Sequence, residues 1–225
     1  MSEASQREMP FWHRVYQGEP RWPVSLVVLT VIGLQWTLPS ELNVANARLI
    51  CGVEALLLIV VNVLNPSHIS SREVWPRRLN LLQLVIMTAA NFVSIVHLIN
   101  ELVNRHVNDA RELLITGGSI WLTNVVVYAL WYWEFDRGGP GARAEARYHV
   151  PDFMFPQMSD PDLAAPHWAA SFFDYLYLSF TNSSAFSPTD VMPLTLWAKG
   201  LMLIQSLTSL LVVALVIARA VNILH

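Results

Sequence analysis

Thr181, Ser183, Ser184, Ser187 and Thr189 lead, within one short stretch, to the carboxylate of Asp190, and they are interleaved with Asn182, Ala185, Phe186 and Pro188. Hydroxyl and carboxylate oxygens can replace water around a cation, and hydroxyls can equally cap free backbone N–H groups in a turn. Other polar side chains interrupt apolar runs. Glu54 lies alone in one. Asn91, Ser94, His97 and Glu101 fall within one arc of a helix advancing about 100° per residue, and Gln205, Thr208 and Ser209 share a face further on. A carboxyl in the middle of an apolar helix costs about 2.5 to 3.5 kcal/mol on membrane-insertion scales. Glu54 is therefore a candidate for transport or gating. Its position near Arg48 also lets it reach an interface, or it can sit protonated against a neighbouring helix. His97 titrates near neutral pH, so with Glu101 it could form a proton or ion relay. Hydrogen bonding between helices is the reading we favour for that stripe.

Other chemistries find little support. His149, Asp152, Asp160, Asp162 and His167 match no metal-ligand spacing and read as a solvated loop. The one cysteine, Cys51, permits neither an intrachain disulfide nor a thiolate-cluster metal site. There is no glycine-rich phosphate loop, nucleophile elbow or helical His-Glu-x-x-His, so neither an enzyme nor a cofactor is expected. The net charge is -3 and no Lys/Arg-rich run occurs, which argues against nucleic acid as a partner.

The elements that must position these residues are apolar helices. Of the 225 residues 54% are hydrophobic and 14% charged, against about 25% charged in a typical soluble domain. A bilayer core needs roughly 20 apolar helical residues, with about 17 to 25 tolerated. That ruler places spans at 22–38, 48–64, 79–103, 112–133 and 196–223, after a polar tail at 1–21 in which no cleavable signal is read. Pro23 suits a first helical turn, Pro39 closes the first span, and Asn65 and Pro66 stop the second. Asp109 followed by Glu112 resembles a capping box at the start of the fourth. Gly138 to Gly141 and the prolines at 151, 156, 161 and 166 mark 134–167 as a long aqueous loop. The aromatic run from Trp168 is too short to span, which suggests a half-helix at 168–184, a polar turn at 185–190 and a last span. Non-helical backbone at membrane depth survives only inside protein or along a watery cavity.

The segment Ser179-Phe-Thr-Asn-Ser-Ser-Ala-Phe-Ser-Pro-Thr-Asp-Val-Met-Pro-Leu-Thr195 resembles the pore helix and filter of tetrameric potassium-type channels, and the resemblance covers roughly the last 60 residues. It implies an outer helix at 112–133, a pore helix ending at Thr181, Ser183 and Ser184, and a filter at Ala185, Phe186, Ser187, Pro188 and Thr189. It places Asp190 as the post-filter acid and Lys199 at the start of an inner helix, with Ser209 near its hinge. The family filter contains glycine, whereas this one has none and carries Pro188, whose φ is fixed and which lacks an N–H. A weakly selective or non-potassium-selective cation pore follows, lined by Ser183, Ser184, Ser187, Thr189 or the Phe186 ring, with Asp190 as a charge ring and Gln205, Thr208 and Ser209 along the inner helix.

The arginines at 7, 14 and 21 and at 72, 77 and 78 fall on one side of five spans together with the long loop. The positive-inside tendency would make that side cytoplasmic, whereas a potassium-type pore would have the loop outside. No span carries arginine at three-residue steps, so voltage sensing is not expected. The sequence reading is thus an all-α, polytopic transmembrane helical bundle of the cell membrane, about five spans plus a re-entrant pore helix. Three peripheral helices at 22–103 precede a pore-like module at 112–225. The resemblance implies a homotetramer in membrane lipid passing monovalent cations. The alternatives are a non-conducting scaffold or binding subunit and, less favoured, a proton-coupled transporter using Glu54, His97 and Glu101.

Overall fold

The computed structural model describes residues 10–38, 47–64, 74–104, 109–160, 162, 164–184 and 190–224. Its long helices are α1 (Trp22–Thr37), α2 (Ala47–Leu64), α3 (Val74–Asn104), α4 (Ala110–Phe135) and α8 (Leu196–Leu224). Between the last two lie α5 (Pro140–Ala144), strand β1 (Phe153–Met154), α6 (Pro156–Ser159), α7 (Phe172–Ser184) and strand β2 (Met192–Pro193). Three stretches, Trp75–Val103, Ala110–Gly138 and Leu196–Ile223, are long and apolar enough to cross a membrane, while Trp22–Thr37 is apolar but shorter.

Local chemistry explains the helix starts. Pro23 occupies the first turn of α1, where its missing N–H would have no acceptor. Asp109 caps α4, its side chain accepting from the N–H groups of Arg111 at 2.8 Å and Glu112 at 3.3 Å. Glu112 adds a negative charge to the first turn, where the helix dipole favours it. Helix α3 begins at Val74 rather than at Leu79. Pro76 fits a first turn, and the two arginines that looked like loop are held along the helix: Arg77 pairs with Glu134 at 3.2 Å, and Arg78 lies over the Trp75 ring.

Helix α4 is the axis of the bundle. It packs against α1, α3, α7 and α8, and 61% of its apolar window is buried, against 28% for α8. Gly117 lets α8 come close, since a Cβ there would meet Val216 at 2.7 Å. One core cluster centres on Val126, Val127, Tyr132 and Trp133 with Val28, Leu84, Met87, Phe153 and Tyr175. A second, nearer the opposite ends of α4 and α8, joins Ile95, Leu98, Ile120, Val212 and Val216.

Of the stretch 134–167 expected as an aqueous loop, 147–150 and 165–167 are exposed, but the part from Glu134 to Ala144 is largely buried. It folds back as a cap on one end of the bundle, with Asp136, Arg137 and Pro140 through Ala144 buried. Strand β1 pairs antiparallel with β2, Phe153 opposite Pro193 and Met154 opposite Met192. The N-terminal stretch crosses the same cap, where Tyr16 N–H donates to the Ala144 carbonyl at 3.0 Å and Arg137 donates to the Trp12 carbonyl at 3.0 Å. Glycine, proline and charge resemble a solvated loop in composition, but here opposite charges meet and screen one another from water.

Candidate functional site

Helix α7 lies between α4 and α8, and its contacts fix its depth. Near its start, Tyr175 Oη donates to Asp136 Oδ2 at 2.6 Å, at the cap end of α4. One turn on, Ser179 donates to the Val125 carbonyl at 2.6 Å. Near its end, the Ser183 carbonyl accepts from Ser209 at 2.7 Å, and Phe180 stacks edge-on against Trp121. Trp121 stands 14 residues before the end of α4, about 21 Å along it. By Asp190 and the β1–β2 pair the chain is back at the cap.

Gln205 holds this contact. Its amide nitrogen donates to the Ser179 carbonyl at 3.0 Å, Ser179 Oγ at 2.6 Å and Ser183 Oγ at 2.7 Å. Its oxygen accepts from Asn182 at 2.8 Å and from the Tyr132 hydroxyl. Asn182 also donates to the Met202 carbonyl at 3.0 Å, and Ser206 donates to Asn182 Oδ1 at 3.0 Å. Gln205, Ser179 and Ser183 are all fully buried. A neutral amide can be sealed away at little cost only when its donors and acceptors are matched, and here they are.

The cap uses charge instead. Arg143, fully buried, meets Glu19 Oε1 at 2.7 Å and donates to the carbonyls of Trp133 at 2.6 Å and Asp136 at 3.0 Å. Burial alone would lower its pKa, but Glu19, Tyr175 and Asp136 outweigh that and hold it above the ordinary arginine value. Asp136 accepts from Tyr175 and from the N–H groups of Asp152 at 2.8 Å and Phe153 at 3.2 Å. Asp152 accepts from Arg137 N–H and from the Trp197 indole, both at 2.9 Å, which ties the start of α8 to the cap. Arg137, Gly138 and Gly139 turn through positive φ in succession, and at Gly139 a Cβ would approach the Glu134 carbonyl oxygen at 2.7 Å.

The sequence candidates fall into several places. Ala185, Phe186, Ser187, Pro188 and Thr189 lie outside the described residues. Asp190 is exposed at the cap. Ser183 and Ser209 face their own chain's helices, Thr208 is half-buried, and Ser184 is exposed. The hydroxyls of Thr181 and Ser184 bond back to carbonyls one turn earlier, at 2.8 and 2.9 Å. Asn91 donates to Asn124 of α4 at 3.3 Å, an interhelical bond, while His97 is exposed and Glu101 half-buried. Glu54 is fully buried and packs instead with Gln83, whose amide donates to the Glu54 carbonyl at 3.1 Å. His97 is 14 residues further along α3 than Gln83, about 21 Å, so His97 and Glu54 lie far apart.

His149 stacks on His13, His167 on Phe11, and Asp160 accepts from the N–H of Asp162. Among the described residues no three His, Cys, Asp or Glu side chains gather as metal ligands. Sequence reasoning missed Arg143, Glu19 and Asp136 altogether. No local signal marked the pair, since Glu19 and Arg143 stand 124 residues apart. No protein-family model, curated protein or solved structure matches the chain.

Proposed function

We propose that this chain is one subunit of a potassium-channel-like membrane pore, passing monovalent cations with weak selectivity or none for potassium. The observation that carries the reading is α7. It is a half-helix of 13 residues lodged between an outer helix, α4, and an inner helix, α8, and its polar side is locked onto Gln205 partway along α8. In this reading α7 is re-entrant, entering from the cap end, and its free tip carries the filter-like turn 185–190. The five long helices are the spans, with α1 and α2 the shorter ones at 16 and 18 residues, about 24 and 27 Å. Four copies in a cell membrane bring the turns to one axis. The sparsely covered α8, with exposed Leu203, Leu207 and Leu210, supplies surface for neighbouring copies and lipid.

A non-conducting subunit is the second reading, and one observation favours it. Ser179, Ser183, Gln205 and Ser209 satisfy one another within the chain and leave few polar groups for a path. Flux decides between the two. The purified chain in liposomes is given separate potassium, sodium, chloride and proton gradients, and wild type is compared with Asp190→Asn. Cation flux that the substitution reduces is the expected result. Absence of flux under every gradient would leave the non-conducting subunit.

A further inference from the structure

Glu54 stands at the middle of α2, fully buried, and the neutral amide of Gln35 is the polar side chain that faces its carboxyl group. Its neighbours are neutral. Helix α1 contains no titratable residue between Trp22 and Thr37, and it turns Gln35 toward Glu54. From α3 comes Gln83, whose amide is spent on the Glu54 backbone carbonyl. On α2 itself Cys51, a buried thiol, is one turn away, and Arg48 lies six residues off. The arginines of α3, Arg77 and Arg78, are five or more residues from Gln83, and Arg77 is paired with Glu134. His97 and Glu101 of α3 lie far beyond Gln83 in the other direction. A carboxylate with no counter-charge is costly in such a place.

A cleft approaches it without including it in its lining. Between α1, α2, α3 and α4 a cleft opens at the cap end, and Arg21, Ser25, Asn62, Asn80 and Glu134 form its polar mouth. Leu58 and Gln83 are among its lining, and Leu58 stands four residues, about 6 Å along α2, from Glu54. Gln83 therefore lines the cleft and touches the Glu54 backbone at once.

We propose that Glu54 is a proton-binding site filled from the cap end through this cleft. The proton comes from hydronium, leaving water behind, and departs by the same path. The neutral carboxyl packs among α1, α2 and α3. The charged form would force water or a cation between them.

The full chain in liposomes tests this in two ways. Treatment with a lipid-soluble carbodiimide, to which a protonated carboxyl adds its O–H across one C=N bond, should modify Glu54 at neutral pH. The modification should be lost as the pH is raised and absent in Glu54→Gln. Infrared spectroscopy of the wild type should show a protonated-carboxyl carbonyl band that Glu54→Gln removes, and that band should shift in heavy water more slowly in Gln83→Leu. The idea is overturned if wild type shows neither labelling nor band at neutral pH. It is also overturned if sodium or potassium at fixed pH blocks the labelling, since the occupant would then be a metal cation. An unchanged exchange rate in Gln83→Leu would overturn the cleft as the route.

Discussion

Around Arg143 the molecule buries ions, and around Gln205 it buries only neutral groups. The cap cluster draws its members from the N-terminal stretch, the end of α4, α5 and α7, so each charge meets an opposite charge or a row of backbone groups. The Gln205 cluster lies deeper, between helices whose backbone is already bonded within itself, and there one amide satisfies three hydroxyl or carbonyl groups of α7. Charge is tolerated where several segments can converge on it. Further down the bundle the partners are neutral side chains and helix carbonyls, which a neutral amide can match.

The largest effect that would test this contrast is at Arg143. Arg143→Met should destabilise the chain by about 3–5 kcal/mol, because Glu19 then remains buried without its counter-charge, whereas Asp136 keeps Arg137 at 3.6 Å. Thermal unfolding in detergent measures it, and a loss below about 1 kcal/mol would show that the cap is wetter than its burial implies. Gln205→Leu should cost less, about 1–3 kcal/mol, through the donors and acceptors it strands on Ser179, Ser183, Asn182 and Tyr132. If the two substitutions cost the same, charge is not what separates the clusters.

The smallest effect concerns acid. Burial first, then His149 and Arg137, push the pKa of His13 below its ordinary 6.5. Protonation thus favours the unfolded cap, so the contact between the N-terminal stretch and the cap weakens as the pH falls below about 6.5 and is at full strength above it. Trp12 fluorescence should report a slight loosening on acidification that His13→Gln reduces.

The long helices were legible because apolar runs end at proline, asparagine or a capping aspartate. Trp22, Leu64 and Leu196 fall at observed boundaries. The short helix before the last one could be read from its length, although it starts at Phe172 rather than Trp168. What composition hid was pairing over distance. Arg137 and Trp12 are 125 residues apart and Glu134 and Arg77 are 57 apart, so no local window contains both partners. Gln205 was visible as a polar residue on an apolar helix, but the same pattern fits a lining residue and a helix-to-helix bond. Only the placement of Ser179 and Ser183 against it distinguishes the two.

The bond between Glu19 and Arg143 also bears on how the chain is made. Glu19 leaves the ribosome long before Arg143, and four long helices must be laid down between them. The helix that leads to Arg143, α4, has 26 residues and is about 39 Å long. Yet both charges lie at the same end of the bundle. Closure of that ion pair therefore requires the end of α4 to return to the end of the bundle from which α1 sets out, so it is completed only after the last of the four helices has been made and packed.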